Sequence, residues 1–327
     1  MPLLEVDNLR IHVLTPCGPA EAVRGVSFAL DRGETLGLVG ESGCGKSLTA
    51  LSLIGLLPAS AQASGSIQFD DSEIIGRNED DLCRLRGNRI GMIFQEPMTA
   101  LNPLHTIARQ IGEPLRLHRD ASQTEARAAA LALLDRVGIA RAATRLDAYP
   151  HQLSGGQRQR VGIAMALACE PDLLIADEPT TALDVTIQQQ ILALIQSLVS
   201  ERGMALLLIS HDLGLIAQNA KRMLVMYGGT VVESGPTATV FAERAHPYTQ
   251  GLFSARPKLG APRGTRLATI AGSVPELVDL PSGCTFAGRC RYTIDACQSA
   301  LPPLLMRPHD HGVRCIRLDE IAPGVDA

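Results

Sequence analysis

The densest chemistry in the chain is the stretch Gly40 to Ser47, which reads GESGCGKS. Four free positions separate a glycine from Gly-Lys-Ser, the P-loop pattern. Glycines let a backbone wrap tightly and aim its N–H groups at phosphate oxygens. A helix that starts where the loop ends adds its positive terminus. Gly40, Glu41, Ser42, Gly43, Cys44, Gly45, Lys46 and Ser47 are therefore the expected cradle for a nucleoside triphosphate. Lys46 has the reach for the β- and γ-phosphates, and the Ser47 hydroxyl suits Mg2+. A second set lies in DLLIADEP, residues 172–179. Asp177, at the end of an apolar run, is expected to hold the Mg2+ shell. Glu178, one residue on, is placed to polarise water for attack on the γ-phosphate. Gln95, after RIGMIF, is a candidate to reach Mg2+ or the attacking water, and His211, after another apolar run, to contact the γ-phosphate.

Leu153 to Gln157 reads LSGGQ. Ser154, Gly155, Gly156 and Gln157 open a helical stretch, where a hydroxyl and backbone N–H groups form a second phosphate-binding arrangement. One nucleotide needs one P-loop, so this surface is expected to serve another subunit's nucleotide. From spacing alone a plain helix cap is the alternative. Asp184, in TTALD, is expected to cap the next helix or to cross a subunit interface.

These residues need elements to place them. TLGLV (35–39) reads as the strand before the P-loop and LTALSLIGLL (48–57) as the helix after it. Residues 1–35 read as short strands, 59–65 as a loop, SIQFD as a short strand and 70–88 as mostly surface, with Arg84, Arg86 and Arg89 giving local positive charge. Residues 103–150 read as helical, with QTEARAAALALLDRVGI stopped at Gly138. Buried strands are expected at 173–176 and 204–209, on either side of an amphipathic helix at 187–199. RMLVMYGGTVVESG reads as two strands about a Gly-Gly turn. HPYTQGLF is the next helix and KLGAPRGTR a linker.

Composition bounds the partners. The chain has 327 residues, 46% of them apolar, enough for one large domain or two smaller ones. A net charge of −4, 3% aromatics and no Trp argue against a nucleic-acid partner. The same scarcity leaves no residue to name as the purine stacker. The N-terminus alternates like a strand, and no apolar run approaches the ~18–20 residues needed to cross a bilayer. A soluble, intracellular chain is expected, with any membrane role arising through partners.

Four of the eight cysteines cluster late: Cys284, Cys290, Cys297 and Cys315, separated by five, six and seventeen residues. In a reducing compartment such a set suggests metal rather than disulfides. Four thiolates suit tetrahedral Zn2+ or a [4Fe–4S] cluster. Structural zinc sites favour pairs two to four residues apart, a spacing not seen here.

GESGCGKS, Gln95, LSGGQ, DLLIADEP, TTALD and His211 occur in the order found in ATP-binding cassette (ABC) ATPases, and the chain resembles that family over roughly residues 3–250. The resemblance implies an α/β P-loop NTPase fold of ABC type. Its parts are a RecA-like core, an antiparallel β subdomain and a helical subdomain near 97–165, all within residues 1–245. Two cassettes would close head to tail around two ATP molecules, with Ser154, Gly155 and Gly156 completing the partner's site. Gln95 would link Mg2+ to the transporter contact, Glu178 activate water, His211 sense the γ-phosphate and Asp184 communicate between sites. Residues 246–318, with HPYTQGLF, GSVPELVDLPSGCTFAGRC and the last two cysteines, resemble the C-terminal extension of dipeptide/oligopeptide import ATPases, which places that extension at 246–327. That resemblance implies a [4Fe–4S] cluster on the four cysteines, with zinc as the alternative. Implied partners are a second ATPase, two integral-membrane permeases and an extracytoplasmic peptide-binding protein. The expected place is the cytoplasmic face of the bacterial plasma membrane. Importers of nickel or glutathione share the pattern; a soluble cassette ATPase acting on nucleic acid or ribosomes is the remaining alternative.

Overall fold

The computed structural model describes residues 1–95, 100–181, 183–255 and 269–321. The expected linker KLGAPRGTR lies outside the described residues. The chain starts with strands β1 (Leu4–Thr15), β2 (Gly18–Leu30) and β3 (Thr35–Val39), then helix α1 (Lys46–Ser52), β4 (Ala61–Phe69), β5 (Ser72–Glu73), α2 (Glu79–Leu85) and β6 (Ile90–Ile93). Helices α3 (Ile107–His118), α4 (Gln123–Arg136), α5 (Ala142–Arg145) and α6 (Gly155–Ala166) follow. Next come β7 (Leu173–Asp177), α7 (Val185–Arg202), β8 (Ala205–Ser210), α8 (Leu213–Asn219), β9 (Arg222–Tyr227) and β10 (Thr230–Pro236). The last elements are α9 (Thr237–Glu243), α10 (Pro247–Ser254), α11 (Ala296–Ser299), β11 (Leu305–Arg307) and β12 (His311–Val313).

Two compact units are present. The first combines Met1–Leu4, Ala29–Thr35 and Gln68–Ile209. In it β6, β7 and β8 pair in parallel. LLIAD and ALLLIS are buried at every position, the near-continuous apolar run a parallel strand covered on both faces requires. Helices α3, α4 and α6 pack on one another. Helix α4 carries a full capping box from Ser122 and Glu125, and Gly138 at φ +78° follows its end, as expected from the sequence. The arginines expected to leave positive charge are paired instead. Arg84 meets Asp81, Arg86 meets Glu79, and Arg89 bridges Asp70 at 2.8 Å and Asp172 at 2.6 Å.

The second unit combines Glu5–Phe28, Leu36–Ile67 and Ser210–Ala327. Strand β3 runs parallel to β9, and β9–β10, β10–β12 and β11–β12 are antiparallel. Gly228 and Gly229 turn the β9–β10 hairpin with φ +50° and +80°, where L side chains are rarely found.

Four expectations need correction. Residues 1–35 form two long strands rather than short ones. Residues 61–65 are part of β4, beside β1, rather than loop. Their sequence, AQASG, shows no apolar alternation, so main-chain pairing rather than side-chain pattern holds them. Helix α2 lies inside the stretch read as plain surface; it buries only Leu82 and so has no apolar stripe to detect. Helix α1 stops at Ser52 rather than running through LTALSLIGLL. Gly55 takes φ +63° and Leu56 N–H returns to the Leu51 carbonyl.

A buried polar knot joins β10 to the last hairpin. Glu233 and His311 are both fully buried, with His311 Nε2 2.8 Å from Glu233 Oε1. The carboxylate also accepts the N–H groups of Ala245 and His246, each at 2.9 Å. On its other side His311 Nδ1 lies 3.2 Å from Glu243. Removing one member leaves a buried partner uncompensated, so Glu233→Ala is expected to lower unfolding free energy by about 3–5 kcal/mol in chemical denaturation. A loss below about 1 kcal/mol would show the knot to be dispensable.

Candidate nucleotide site

The P-loop joins β3 to α1 in the second unit, as its strand–loop–helix context requires. A Cβ on Gly40 would stand 2.2 Å from the Met226 carbonyl oxygen and 2.8 Å from Cys44 Sγ, so only glycine fits. Gly45 has φ +100°, and its Cβ would stand 2.8 Å from the Ala22 carbonyl. Lys46 is buried, and its Nζ donates to the carbonyls of Gly40 at 2.8 Å and Glu41 at 3.0 Å. Ser42 and Gly43 are exposed at the loop's tip, and Ser47 is half-buried in the first turn of α1. Cys44 is buried beneath the loop. Burial pushes its thiol pKa up despite Lys46 nearby, which suits a packing residue rather than a nucleophile.

Glu41 is gripped from beyond the motif. Its N–H donates to Tyr248 Oη at 2.9 Å, and its carboxylate meets Arg289 Nη1 at 2.7 Å. Tyr248 lies in α10, within the HPYTQGLF stretch that reads simply as a helix. It packs with Tyr227 and Phe286 at ring distances of 4.6 and 5.4 Å. Burial drives the Tyr248 hydroxyl pKa far above its ordinary value, keeping it neutral. His211 follows β8 directly and is exposed.

The first unit gathers the other candidates. Asp177 ends β7 with only 4% of its surface exposed. Glu178 sits at φ +46°, a conformation unusual for a non-glycine residue, and its N–H donates to the Ile209 carbonyl at 3.0 Å. Its carboxylate accepts from Thr181 Oγ1 at 3.0 Å and from Gln95 Nε2 at 3.3 Å. Gln95 and Glu178 are thus brought together. Thr181 was not singled out from the sequence, although its place in TTALD, three residues after Glu178, was the available signal.

Ser154 caps α6 within a full capping box. Its Oγ accepts the Gln157 N–H at 3.3 Å, and Gln157 Oε1 accepts the Ser154 N–H at 3.0 Å. A Cβ on Gly156 would stand 3.2 Å from Ile187 Cγ2, so the small residue lets α6 and α7 start side by side. Asp184 caps α7 through Oδ1, which accepts the Ile187 N–H at 3.0 Å.

The late cysteines also converge. Cys284, Cys290, Cys297 and Cys315 line one small pocket with Phe286 and Tyr292. The Cys284 N–H donates to the Cys297 carbonyl at 2.7 Å, and a Cβ on Gly283 would stand 2.3 Å from that oxygen. Backbone N–H groups of Tyr292 and Arg317 donate to Cys290 and Cys315 sulfurs, each at 3.4 Å. Burial, reinforced by the other three thiols, pushes the Cys284 pKa up to about 11. Among the described residues no group of three or more His, Cys, Asp or Glu side chains is placed to hold a metal ion.

Comparison with known proteins decides the family. Residues 23–181 match the ABC transporter model, and residues 232–297 match the model of the oligopeptide/dipeptide transporter C-terminal region. A putative peptide import ATP-binding protein of Brucella abortus is 52% identical over 336 residues, covering 98% of each chain. The chain belongs to the ABC transporter ATPases. This ATPase is also 48% identical over 320 residues to the oligopeptide transport ATP-binding protein AppD of Bacillus subtilis, covering 97% of each chain. An ATP-binding cassette solved as a post-hydrolysis dimer with ADP and Pi bound superposes with a TM-score of 0.65 and 29% identity, over 72% of this ATPase and 98% of that chain. The cbiO1 protein of Clostridium perfringens, part of the ABC transporter complex cbiONQ, gives 0.62 and 30%, over 74% and 92%. The ATPase therefore has the RecA-like core with helical and β subdomains, and uses ATP and Mg2+. No described helix is long and apolar enough to cross a membrane.

Proposed function

We propose that this ATPase powers dipeptide or oligopeptide import, docked peripherally on two membrane permeases at the cytoplasmic face of the plasma membrane. A second cassette and an extracytoplasmic peptide-binding protein complete the system. One observation carries the reading: a complete set of cassette motifs is joined to a C-terminal region of the oligopeptide/dipeptide type whose four cysteines line a single pocket. The catalytic domain is assigned to residues 1–245, with its helical subdomain about 97–165, and the extension to 246–327.

Each residue has a proposed role. Gly40 to Ser47 cradle the triphosphate, with Lys46 on the β- and γ-phosphates. Ser154, Gly155, Gly156 and Gln157 face the partner cassette's nucleotide, with their N–H groups and the α6 terminus as anion donors. Ser47, Gln95 and Asp177 offer hydroxyl, amide and carboxylate oxygens, the hard donor set that Mg2+ takes. When bound, Mg2+ screens the charge of the transferred phosphoryl group. Glu178, oriented by Thr181 and Gln95, accepts the proton of the attacking water. His211 contacts the γ-phosphate, and Asp184 couples the sites across the cassette interface.

The cysteine pocket fits a [4Fe–4S] cluster better than zinc. Four thiols line one cavity, none of them in the pairs two to four residues apart that structural zinc sites favour, and two sulfurs receive backbone N–H groups of the kind that tune such clusters. When bound, a cluster cross-links the extension through its four thiolates. Anaerobic purification of the whole complex tests both readings. Two permeases should co-purify, with about four iron and four sulfide per chain. Absence of any permease sinks the importer reading, and one zinc per chain sinks the cluster. Uptake assays with peptide, glutathione and nickel then identify the cargo.

A further inference from the structure

Glu41, the second residue of the P-loop, is held at all three of its polar groups. Tyr248 Oη accepts its N–H at 2.9 Å, Lys46 Nζ donates to its carbonyl at 3.0 Å, and Arg289 pairs with its carboxylate. Arg289 reaches both oxygens of that carboxylate while its remaining N–H groups anchor it to its surroundings. It immediately precedes Cys290, its side chain is 7% exposed, and its N–H groups are directed one by one. Nη1 meets Glu41 Oε2 at 2.7 Å and Tyr227 Oη at 3.4 Å. Nη2 meets Glu41 Oε1 at 3.4 Å and the Ile270 carbonyl at 3.3 Å, while Nε donates to the Ala271 carbonyl at 2.9 Å. The guanidinium also lies 5.7 Å from the Tyr227 ring centroid. This is a two-oxygen grip on the carboxylate, the geometry in which arginine is strongest and lysine cannot substitute.

We propose that Arg289 and Tyr248, two residues of the C-terminal region, are positioning residues for the phosphate loop and set its affinity for the nucleotide. Both act through Glu41. The Glu41 carbonyl receives the Lys46 ammonium, so whatever fixes the Glu41 backbone fixes where that ammonium lies. Tyr248 fixes it through the amide, and Arg289 through the side chain. Neither belongs to the Gly40–Ser47 loop itself, and both reach it through Glu41. Both raise the fraction of loops already in the binding conformation, and apparent affinity scales with that fraction. An ordinary docking ion pair would stabilise the extension and leave nucleotide affinity unchanged. The two roles therefore separate by measurement. The inference rests on the proposed phosphate-binding role of Gly40 to Ser47.

The test is MgATP binding to the full-length chain by calorimetry, with melting temperature followed in parallel. Arg289→Ala, Glu41→Gln and Tyr248→Phe are each expected to raise Kd about tenfold. The Arg289→Ala/Glu41→Gln double variant should lose no more than the worse single variant, because both delete one contact. Tyr248→Phe removes a single oxygen and Glu41→Gln leaves the cysteine loop untouched, so a loss in either is not a failure of that loop to fold. Unchanged Kd in all variants, even with a lowered melting temperature, overturns the proposal. Losses in Arg289→Ala and Glu41→Gln that multiply in the double variant also overturn it. Lys46→Ala in the same assay tells the two failures apart. If it binds like the parent chain, the phosphate-loop reading fails and the positioning role falls with it. If it loses binding while the other variants keep theirs, only the positioning role fails.

Discussion

Glu178→Gln should bind ATP with near-native affinity and hydrolyse it roughly 10²–10⁴ times more slowly, the usual contribution of a positioned general base. The substitution keeps shape and hydrogen bonding. A glutamine oxygen can still accept from Thr181 Oγ1 and Gln95 Nε2, now at 3.0 and 3.3 Å from the carboxylate. What it loses is the ability to take a proton from water. The backbone constraint survives as well. Glu178 is held at φ +46° by position, its N–H bonded to the Ile209 carbonyl, and glutamine pays the same local strain. Single-turnover hydrolysis in the assembled transporter is the measurement, with nucleotide binding as the control. Near-normal turnover would remove Glu178 from the role of base. A loss of binding as large as the loss of turnover would show that the carboxylate holds the nucleotide rather than activating water.

The sequence exposed the parts of this site that are local in the chain. A P-loop is eight consecutive residues whose glycines answer to backbone demands, and Gly40 and Gly45 meet those demands in the structure. Ser154 and Asp184 cap the helices that follow them, as short-range chemistry dictates. The buried strands β7 and β8 were legible because parallel strands covered on both faces are apolar at every position. Strand β4 was not, because AQASG holds its place by main-chain pairing and carries no pattern. The contacts that grip Glu41 were out of reach for a different reason. Tyr248 lies 207 residues away and Arg289 lies 248 residues away, and no spacing rule links partners brought together only by folding. HPYTQGLF was visible as a helix, yet nothing local shows that its tyrosine ends on the phosphate loop. The knot of Glu233 and His311 was hidden likewise, since its two residues lie 78 positions apart and neither stretch points to the other.

The second large effect is expected at Gly40. Gly40→Ala should cut MgATP affinity by about 10–100-fold and lower the melting temperature of the chain. The added methyl has nowhere to go. It would stand 2.2 Å from the Met226 carbonyl oxygen and 2.8 Å from Cys44 Sγ, both closer than real Cβ contacts allow. Cys44 could rotate; Met226 cannot, because its main chain is in β9, whose neighbours β3 and β10 hold it on both sides. The loop must yield instead. Overpacking of this kind costs roughly 1–3 kcal/mol, and relief by moving the loop turns that cost into a loss of affinity at 1.4 kcal/mol per tenfold, on the order of the change stated. The movement also carries away the Gly40 carbonyl, which accepts the Lys46 ammonium at 2.8 Å, so the lysine is displaced together with the backbone. Cys44→Ala separates the causes. Trimming that side chain removes the softer of the two clashes and leaves the carbonyl clash intact, so it should not rescue Gly40→Ala. Full rescue by Cys44→Ala would mean that the sulfur, and not the β9 main chain, is what demands glycine at the head of the loop.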